Sequence, residues 1–125
     1  MINERAVQED VAAHMERNTA LVQQIKGRGG DMQRERNIDC FFHTHTEDDA
    51  IAVSRALQAC GLRELSITHR HDEDNRPWTV QGVALSSVAA FTVGHRVEEF
   101  VRIAAQHDAL FDGWGTPLDE LPPTI

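Results

Sequence analysis

The sequence predicts a single α+β domain in which an N-terminal helix precedes strands and helices in the order β-α-β-β-α-β. The evidence is a repeated change of apolar spacing, between the three- and four-residue steps of helices and the two-residue step of strands. A length of 125 residues and a hydrophobic fraction of 41% suit one domain with one core. This order is the ferredoxin-like pattern, with a four-stranded antiparallel sheet and both core helices on one face. We expect residues 1–30 to form the N-terminal helix and turn, residues 37–113 the ferredoxin-like core and residues 114–125 a C-terminal tail.

The first half of the chain predicts a helix, a strand and a second helix. Apolar residues at three- and four-residue steps predict a helix over residues 4–26, which the glycines at 27–30 end. A two-residue alternation predicts a strand over residues 38–43. Thr46, a good N-cap residue, then opens a helix over residues 46–60.

The second half of the chain predicts a hairpin, a third helix and a last strand. Residues 64–85 contain two alternating segments separated by a polar turn, which is the pattern of a β-hairpin. Residues 86–92 form a connector that fits neither period. Helical spacing returns over residues 93–107, and a short strand is predicted over 109–112, before an Asp-Gly turn signal.

One face of the predicted sheet lacks a partner within the β-α-β-β-α-β unit. Phe41, Thr79 and Val83 would lie on the face opposite the two core helices. This face is too apolar to be fully hydrated. We expect the N-terminal helix, or a second copy of the chain, to cover it.

Composition and charge exclude several classes of protein. The chain has 20 acidic and 12 basic residues, a net charge of -8, whereas contacts with nucleic-acid phosphates need clustered positive charge. The locally basic stretch, Lys26, Arg28, Arg34 and Arg36, is interpreted as a solvated loop. No apolar run approaches the roughly 20 residues of a membrane helix, and the polar N-terminus has no signal-peptide core. A cytoplasmic protein is therefore predicted, with Cys40 and Cys60 as buried thiols rather than a disulfide.

Two histidine pairs are the natural metal candidates, His43 with His45 and His69 with His71. Oxygen ligands could be added by the acidic turn, Asp72, Glu73 and Asp74. However, His43 is predicted to face away from the core helices and His69 to face towards them, which separates the two pairs. We therefore predict no bound metal and no cofactor. A module that binds a metal or small ligand through these four histidines is the alternative function.

The remaining polar clusters favour structure over catalysis. Glu47, Asp48 and Asp49 occupy the first turn of a predicted helix, where the helix dipole favours negative charge. His107 and Asp108 are consecutive at a helix end, and consecutive residues do not face one another. The chain has neither a phosphate-binding glycine loop nor a nucleophile-elbow motif. We predict that the protein is not an enzyme.

The most distinctive stretch is Phe111-Asp112-Gly113-Trp114-Gly115 near the C-terminus. Two glycines bracket the tryptophan, and each can adopt positive φ or allow a close backbone approach. Trp114 is therefore held on a preset backbone. Such a ring either caps the core or is presented to a partner, and the sequence leaves both interpretations open.

This stretch resembles the terminal signature of the ribonuclease E inhibitor B (RraB-like) family. The resemblance extends over residues 15–118 or so, through these further segments: Asn18-Thr19-Ala20-Leu21-Val22, Gly29-Gly30-Asp31, Arg36-Asn37-Ile38-Asp39, Cys60-Gly61-Leu62 and Trp78-Thr79-Val80. It implies a ferredoxin-like fold and a bacterial, cytoplasmic role in RNA decay, in which the protein binds ribonuclease E and restrains its cleavage of RNA. His43-Thr44-His45 departs from the family pattern.

The resemblance, together with the acidic surface, implies a protein partner. We expect contacts at Asp112, Gly113, Trp114 and Gly115, and at the acidic turn formed by Asp72, Glu73 and Asp74. A basic segment of a ribonuclease E-type enzyme is the expected partner. Direct nucleic-acid and membrane binding are not expected, and a homo-oligomer through the open sheet face is an additional possibility.

Overall fold

The computed structural model describes residues 3–71, 75–92 and 94–116, which form one antiparallel sheet with helices. The elements are α1 (Glu4–Gly27), β1 (Glu35–Thr44), α2 (Glu47–Ala59), β2 (Arg63–His69), β3 (Trp78–Ser87), α3 (Val88–Phe91), α4 (Gly94–Gln106) and β4 (Ala109–Gly115). The strand order is β2-β3-β1-β4, and every neighbouring pair is antiparallel. This is the ferredoxin-like arrangement, and it confirms the predicted fold class.

Local signals in the sequence place the helix ends. The side chain of Thr46 accepts a hydrogen bond from the backbone N–H of Asp49 at 3.1 Å, so α2 begins with the predicted cap. After α1, Gly29 has a φ of 78° and the N–H of Gly30 donates to the carbonyl of Ile25 at 2.9 Å. These bonds satisfy carbonyls at the end of α1, as glycine-containing C-caps do.

The core lies between the sheet and the two helices α2 and α4. It contains alternate residues of β1 together with one face of each helix, and its aromatic centre is Phe42, Phe100 and Phe111. The Phe42 ring lies edge-on to Phe100 at 5.8 Å between centroids and is stacked on Phe111 at 4.9 Å. The prediction that α2 and α4 share one face of the sheet is therefore confirmed.

Helix α1 does not cover the opposite face of the sheet, so this alternative was wrong. It packs against α4 on the same side as the core: Val7 belongs to the buried cluster, and Glu4 forms an ion pair with Arg102 of α4 at 2.8 Å. The physical reason is the width of the apolar surface on α4. Val101, Ile103 and Ala104 are all buried. Residues at these spacings point to different sides of a helix, so the sheet alone cannot bury all three.

The second face of the sheet is consequently uncovered by helices in the described parts of the chain. We call it the open face. It carries Phe41, and pairing with β1 places Leu85 and Leu110 there as well. These two leucines are 55% and 43% exposed. The open face therefore presents apolar side chains to its surroundings.

Strand β4 is longer than the 109–112 segment predicted from the sequence. It continues through Gly115, and the Asp-Gly pair is a β-bulge within the strand instead of a turn after it. Phe42 pairs with Phe111 and Phe41 pairs with Gly113, so Asp112 is the extra residue. Residues 88–91 of the undecided connector form the short helix α3.

Arg36 is also placed differently from the prediction. It belongs to β1, is only 4% exposed, and donates a hydrogen bond from Nη2 to the carbonyl of Asp31 at 3.1 Å. Lys26, Arg28 and Arg34 are exposed. The locally basic stretch is therefore not a single solvated loop, and one of its four cations is withdrawn from the surface.

The prediction of two buried thiols holds for Cys40 but not for Cys60. Cys40 is buried, Cys60 is half-buried, and neither forms a disulfide. Within the described ranges, none of the helices combines the length and apolar character needed to cross a membrane.

Candidate functional site

Two clefts meet at the bulge of β4, which is an edge strand of the sheet. The first, the α1/β4 cleft, has a volume of about 180 Å³ and is lined by His14, Arg17, Asn18 and Leu21 of α1 and by Asp112, Gly113 and Trp114 of β4. The second, the open-face cleft, has a volume of about 300 Å³ and is lined by His43, Arg70, Asn75, Arg76, Leu110 and Asp112. Asp112 lines both clefts, so the bulge lies between them.

The bulge distributes the signature residues over both sides of the sheet. Gly113 has a φ of 115°, a conformation in which a side chain would be strained. Asp112 hydrogen-bonds to His43 on the open face, whereas Trp114 pairs with Cys40 and lies on the core side. Phe111 and Trp114 thus share a face although an odd number of positions separates them, which alternation in a regular strand forbids.

Trp114 is hydrogen-bonded to helix α1. Its indole N–H donates to Oδ1 of Asn18 at 2.7 Å, and its ring lies edge-on to Phe91 at 5.6 Å between centroids. Asn18 is only 6% exposed, whereas Trp114 is half-buried. The ring therefore contributes to packing and keeps part of its surface accessible in the α1/β4 cleft, and its role as a partner contact stays a prediction.

His14 and Arg17 form the upstream part of the same cleft. The His14 imidazole is buried against Phe111, with 4.6 Å between ring centroids, and the Arg17 guanidinium lies 3.2 Å from its Nδ1. Burial lowers the pKa of His14, and the charge of Arg17 lowers it further. The imidazole is therefore neutral at pH 7, and Arg17 carries the positive charge on this wall.

On the open face, His43 joins two other side chains in a hydrogen-bonded chain. Its Nε2 lies 2.9 Å from Oδ2 of Asp112, and its Nδ1 lies 3.1 Å from Oγ1 of Thr79. Alternation alone does not reveal this chain, because it depends on the register of three strands. The only sequence signal was the predicted position of His43 on the open face.

A hydroxyl, an imidazole and a carboxylate in series can support nucleophilic catalysis, but the position of Thr79 argues against it here. Thr79 pairs with both His43 and Thr68, in a strand flanked by β1 and β2. Its neighbouring backbone N–H groups are therefore used in the sheet and cannot stabilise an oxyanion. The hydrogen bonds between Thr79 and His43 and between His43 and Asp112 serve to hold these side chains in place.

The four candidate metal-binding histidines do not meet at one site. His45 lies 2.6 Å from the carbonyl of Asn75, whereas His69 lies 3.2 Å from His71 and against the Trp78 ring. His43 and His69 lie on opposite faces of the sheet, as alternation predicted. In the part of the chain that the structure describes, no three His, Cys, Asp or Glu side chains are placed to share a metal ion.

The predicted partner site is only partly visible. Asp72, Glu73 and Asp74 lie outside the described residues. Two nearby described residues, Arg70 before the turn and Asn75 directly after it, line the open-face cleft together with Asp112. These described neighbours of the turn therefore lie near the bulge.

A comparison with protein families matches residues 15–116 to the model of the regulator of ribonuclease activity B, RraB. The chain belongs to the RraB family. The matched region contains Asn18 and Leu21 of α1 as well as the bulge of β4. Two segments that resembled RraB separately in the sequence therefore meet at the α1/β4 cleft.

A search among curated proteins finds no match to the chain. The functional information thus comes from the RraB family itself, whose description is regulation of ribonuclease activity. Because a regulator of a ribonuclease acts on another protein, the surfaces of interest are those that can contact a protein partner.

Proposed function

We propose that this protein is a non-enzymatic regulator that binds a ribonuclease E-type endoribonuclease in the bacterial cytoplasm and modulates RNA processing or decay. The observation that carries the proposal is the RraB match over residues 15–116. It supports regulation of a ribonuclease, and the resemblance to ribonuclease E inhibitors supports the identity of the enzyme. The expected mechanism is steric: occupation of a regulatory or scaffold segment changes which RNAs the enzyme reaches.

The contact surface that we propose is centred on the bulge of β4 and the acidic turn. Asp112, Gly113, Trp114 and Gly115 supply the first part, and the carboxylates of Asp72, Glu73 and Asp74 supply the second. The side chain of Asp112 is 55% exposed although it also binds His43, so it can meet a partner. With a net charge of -8, the chain would attract a basic segment.

The charge distribution supports a protein partner over RNA itself. Acidic residues outnumber basic ones by 20 to 12, and the guanidinium of Arg36 is buried. Phosphate contacts need accessible clustered cations. The proposal therefore includes neither direct RNA binding nor a cofactor, and the separation of His43 from His69 argues against the metal-binding alternative.

Self-association through the open face is a further part of the proposal. The supporting observation is the exposure of Leu85 and Leu110 on a face that α1 does not cover. Sedimentation of the wild-type chain over a range of concentrations should show association, and Leu85→Gln should weaken it. A monomer at every concentration would contradict this part and leave ribonuclease binding unaffected.

The test of the main proposal is a binding titration against the basic, non-catalytic segments of a ribonuclease E-type enzyme. Binding should be saturable at low salt and weaker at physiological salt, because exposed charges are screened over about 10 Å at 0.1 M. A parallel assay should follow RNA cleavage by the same enzyme. Absence of binding at low salt and high protein concentration would reject the proposal.

A further inference from the structure

The α1/β4 cleft has two walls of different chemistry. Residues 14, 17, 18 and 21 stand at helical spacing, so they form one face of α1. The opposite wall is the bulged edge of β4, where a side-chain carbon added at Gly113 would have no atom within 4 Å. The space beside Gly113 is therefore open, in a cleft of about 180 Å³.

Asn18, one of the residues that line this cleft, carries a buried hydrogen-bond donor without a partner among the described residues. The indole N–H of Trp114 can only donate, so the amide oxygen of Asn18 faces Trp114 and the amide nitrogen, Nδ2, is left on the other side. Nδ2 is buried and has no hydrogen-bond partner among the described residues. Buried donors in folded proteins almost always have a partner, which is a protein group, an ordered water or an ion.

Arg17 adds positive charge at the rim of the cleft. It is exposed and contacts the ring of His14, and within residues 3–71, 75–92 and 94–116 it forms no ion pair with a carboxylate. The acid that lines the cleft, Asp112, has an oxygen engaged by His43 on the open face. Within the described ranges, the residues of the cleft therefore offer a guanidinium whose charge has no carboxylate partner and an amide N–H that has no hydrogen-bond partner.

These groups are complementary to a carboxylate, which accepts from both an arginine and an amide. Leu21 and Trp114, both half-buried, can pack against the methylene groups that carry it. We propose that the α1/β4 cleft binds the side-chain carboxylate of an Asp or Glu residue of the protein partner, an inference that rests on the proposed function. The ribonuclease segment would then combine basic residues, for the acidic surface, with one acidic anchor.

The site can be probed with small molecules by NMR of the full chain. The probe is N-acetyl-glutamate α-amide, whose only charge is the side-chain carboxylate, and the neutral control is N-acetyl-glutamine α-amide. The probe should shift the Trp114 indole N–H and the Asn18 side-chain amide signals saturably, and the control should not. Equal shifts with both compounds, or none with either, would overturn the inference.

Inorganic phosphate serves as a second probe, because a guanidinium also binds phosphate. Weaker binding of phosphate than of the carboxylate probe is the expected result. Tighter binding of phosphate would overturn the assignment to a protein carboxylate and would point to a phosphorylated or nucleic-acid ligand.

Variants identify the groups responsible. Arg17→Gln removes the positive charge. Asn18→Asp retains an oxygen for the Trp114 N–H and replaces the amide donor with a carboxylate oxygen, which repels a carboxylate probe. Each should weaken probe binding by about ten-fold or more, as is typical when a hydrogen bond to a charged group is lost. Arg5→Gln is the matched control, since it removes an exposed arginine of the same helix that pairs with Glu9.

Retention of a dispersed spectrum and of the thermal midpoint shows that each variant folds. If Asn18→Asp fails to fold, Arg17→Gln still decides, because Arg17 is exposed. Unchanged probe binding by folded Arg17→Gln would refute the role of the guanidinium.

Ribonuclease binding by the same variants separates this inference from the proposed function. Weaker ribonuclease binding by Arg17→Gln, with Arg5→Gln unchanged, supports the cleft as the anchor site. Ribonuclease binding that Arg17→Gln does not alter would overturn the cleft as a partner site while the proposed function stands. Saturable probe binding without any ribonuclease binding would overturn the proposed function and support the carboxylate site alone.

Discussion

Replacing Trp114 with Phe should destabilise the domain mainly through Asn18. Phenylalanine retains an aromatic ring against Phe91 but lacks the N–H that donates to Asn18 Oδ1 at 2.7 Å. Asn18 is 6% exposed, and its Nδ2 already has no partner among the described residues, so the substitution leaves the whole amide unsatisfied. An unsatisfied buried polar group costs about 1–3 kcal/mol, which is the expected loss in the free energy of unfolding.

A double-mutant cycle with Asn18→Leu isolates this contribution. Leucine removes the buried amide, so Trp114→Phe should cost much less in that background, and the two substitutions should be coupled by about 0.5–3 kcal/mol. Urea unfolding of the four proteins gives the free energies, with equal denaturant slopes as the check on two-state behaviour. Each kcal/mol corresponds to a shift in Tm of between about 2 and 8 °C for domains of 60 to 250 residues.

The reasoning is refuted if Trp114→Phe costs the same with Asn18 and with Leu at that position. Such a result would mean that ring packing, and not the hydrogen bond, holds β4 to α1. A cost near zero in both backgrounds would show that Trp114 contributes little to stability and would strengthen its interpretation as a surface contact.

Three further predictions concern the partner, pH and metal. Trp114→Ala should weaken ribonuclease binding by more than roughly 1 kcal/mol if the ring contacts the partner. Thermal unfolding should be measured on the same sample. If the variant loses stability but its folded fraction binds as the wild type does, Trp114 is a packing residue only. Because burial lowers the pKa of His14 below its ordinary value of 6.5, the unfolded chain binds more protons between the folded pKa and 6.5. The contribution of His14 to the free energy of unfolding is thus fully present above pH 6.5 and is lost as the pH falls towards the folded pKa. Urea unfolding at several pH values should show that His14→Gln loses less stability on acidification than the wild type. An identical pH dependence of the two proteins would contradict this. Metal analysis of protein purified without a His-tag should find well under one equivalent of zinc or nickel, whereas a stoichiometric ion lost from a His43→Ala, His69→Ala double variant would restore the metal-binding alternative.

Local periodicity was sufficient to predict the order of the core elements. The alternation at Ile38, Cys40 and Phe42 and the cap at Thr46 depend on neighbours within a few residues, so they are legible in the sequence. The strand pairing then follows from the limited ways of closing two helices over one antiparallel sheet.

The position of α1 was not predictable by the same means. Its apolar stripe shows that one face of the helix is buried but not what covers it. The deciding feature is the breadth of apolar surface on α4, where Val101, Ile103 and Ala104 are all buried. Likewise, Arg36 was assigned to a solvated loop because it is charged, although it lies two residues from Ile38, which is the spacing of one face of a strand.

The candidate site was hidden for a different reason, which is the bulge at Asp112. Alternation counted from Phe111 places Trp114 on the opposite face, and the extra residue reverses that assignment. Neither the hydrogen bond to Asn18 nor the contact of Asp112 with His43 could be derived without the bulge. The Asp-Gly pair did signal irregular backbone, but the same signal is typical of a turn.

The bulge also explains why three adjacent residues can serve two clefts. Asp112 is the residue without a partner across the ladder and reaches His43 on the open face. Gly113 takes the positive φ that the extra residue requires, and Trp114 returns to the core side, where Asn18 holds it. A side chain at Gly113 would strain the backbone and so disturb both neighbours at once. The bulge thus fixes the positions of all three residues of the Asp-Gly-Trp segment. A partner bound at either cleft would contact groups that this bulge positions.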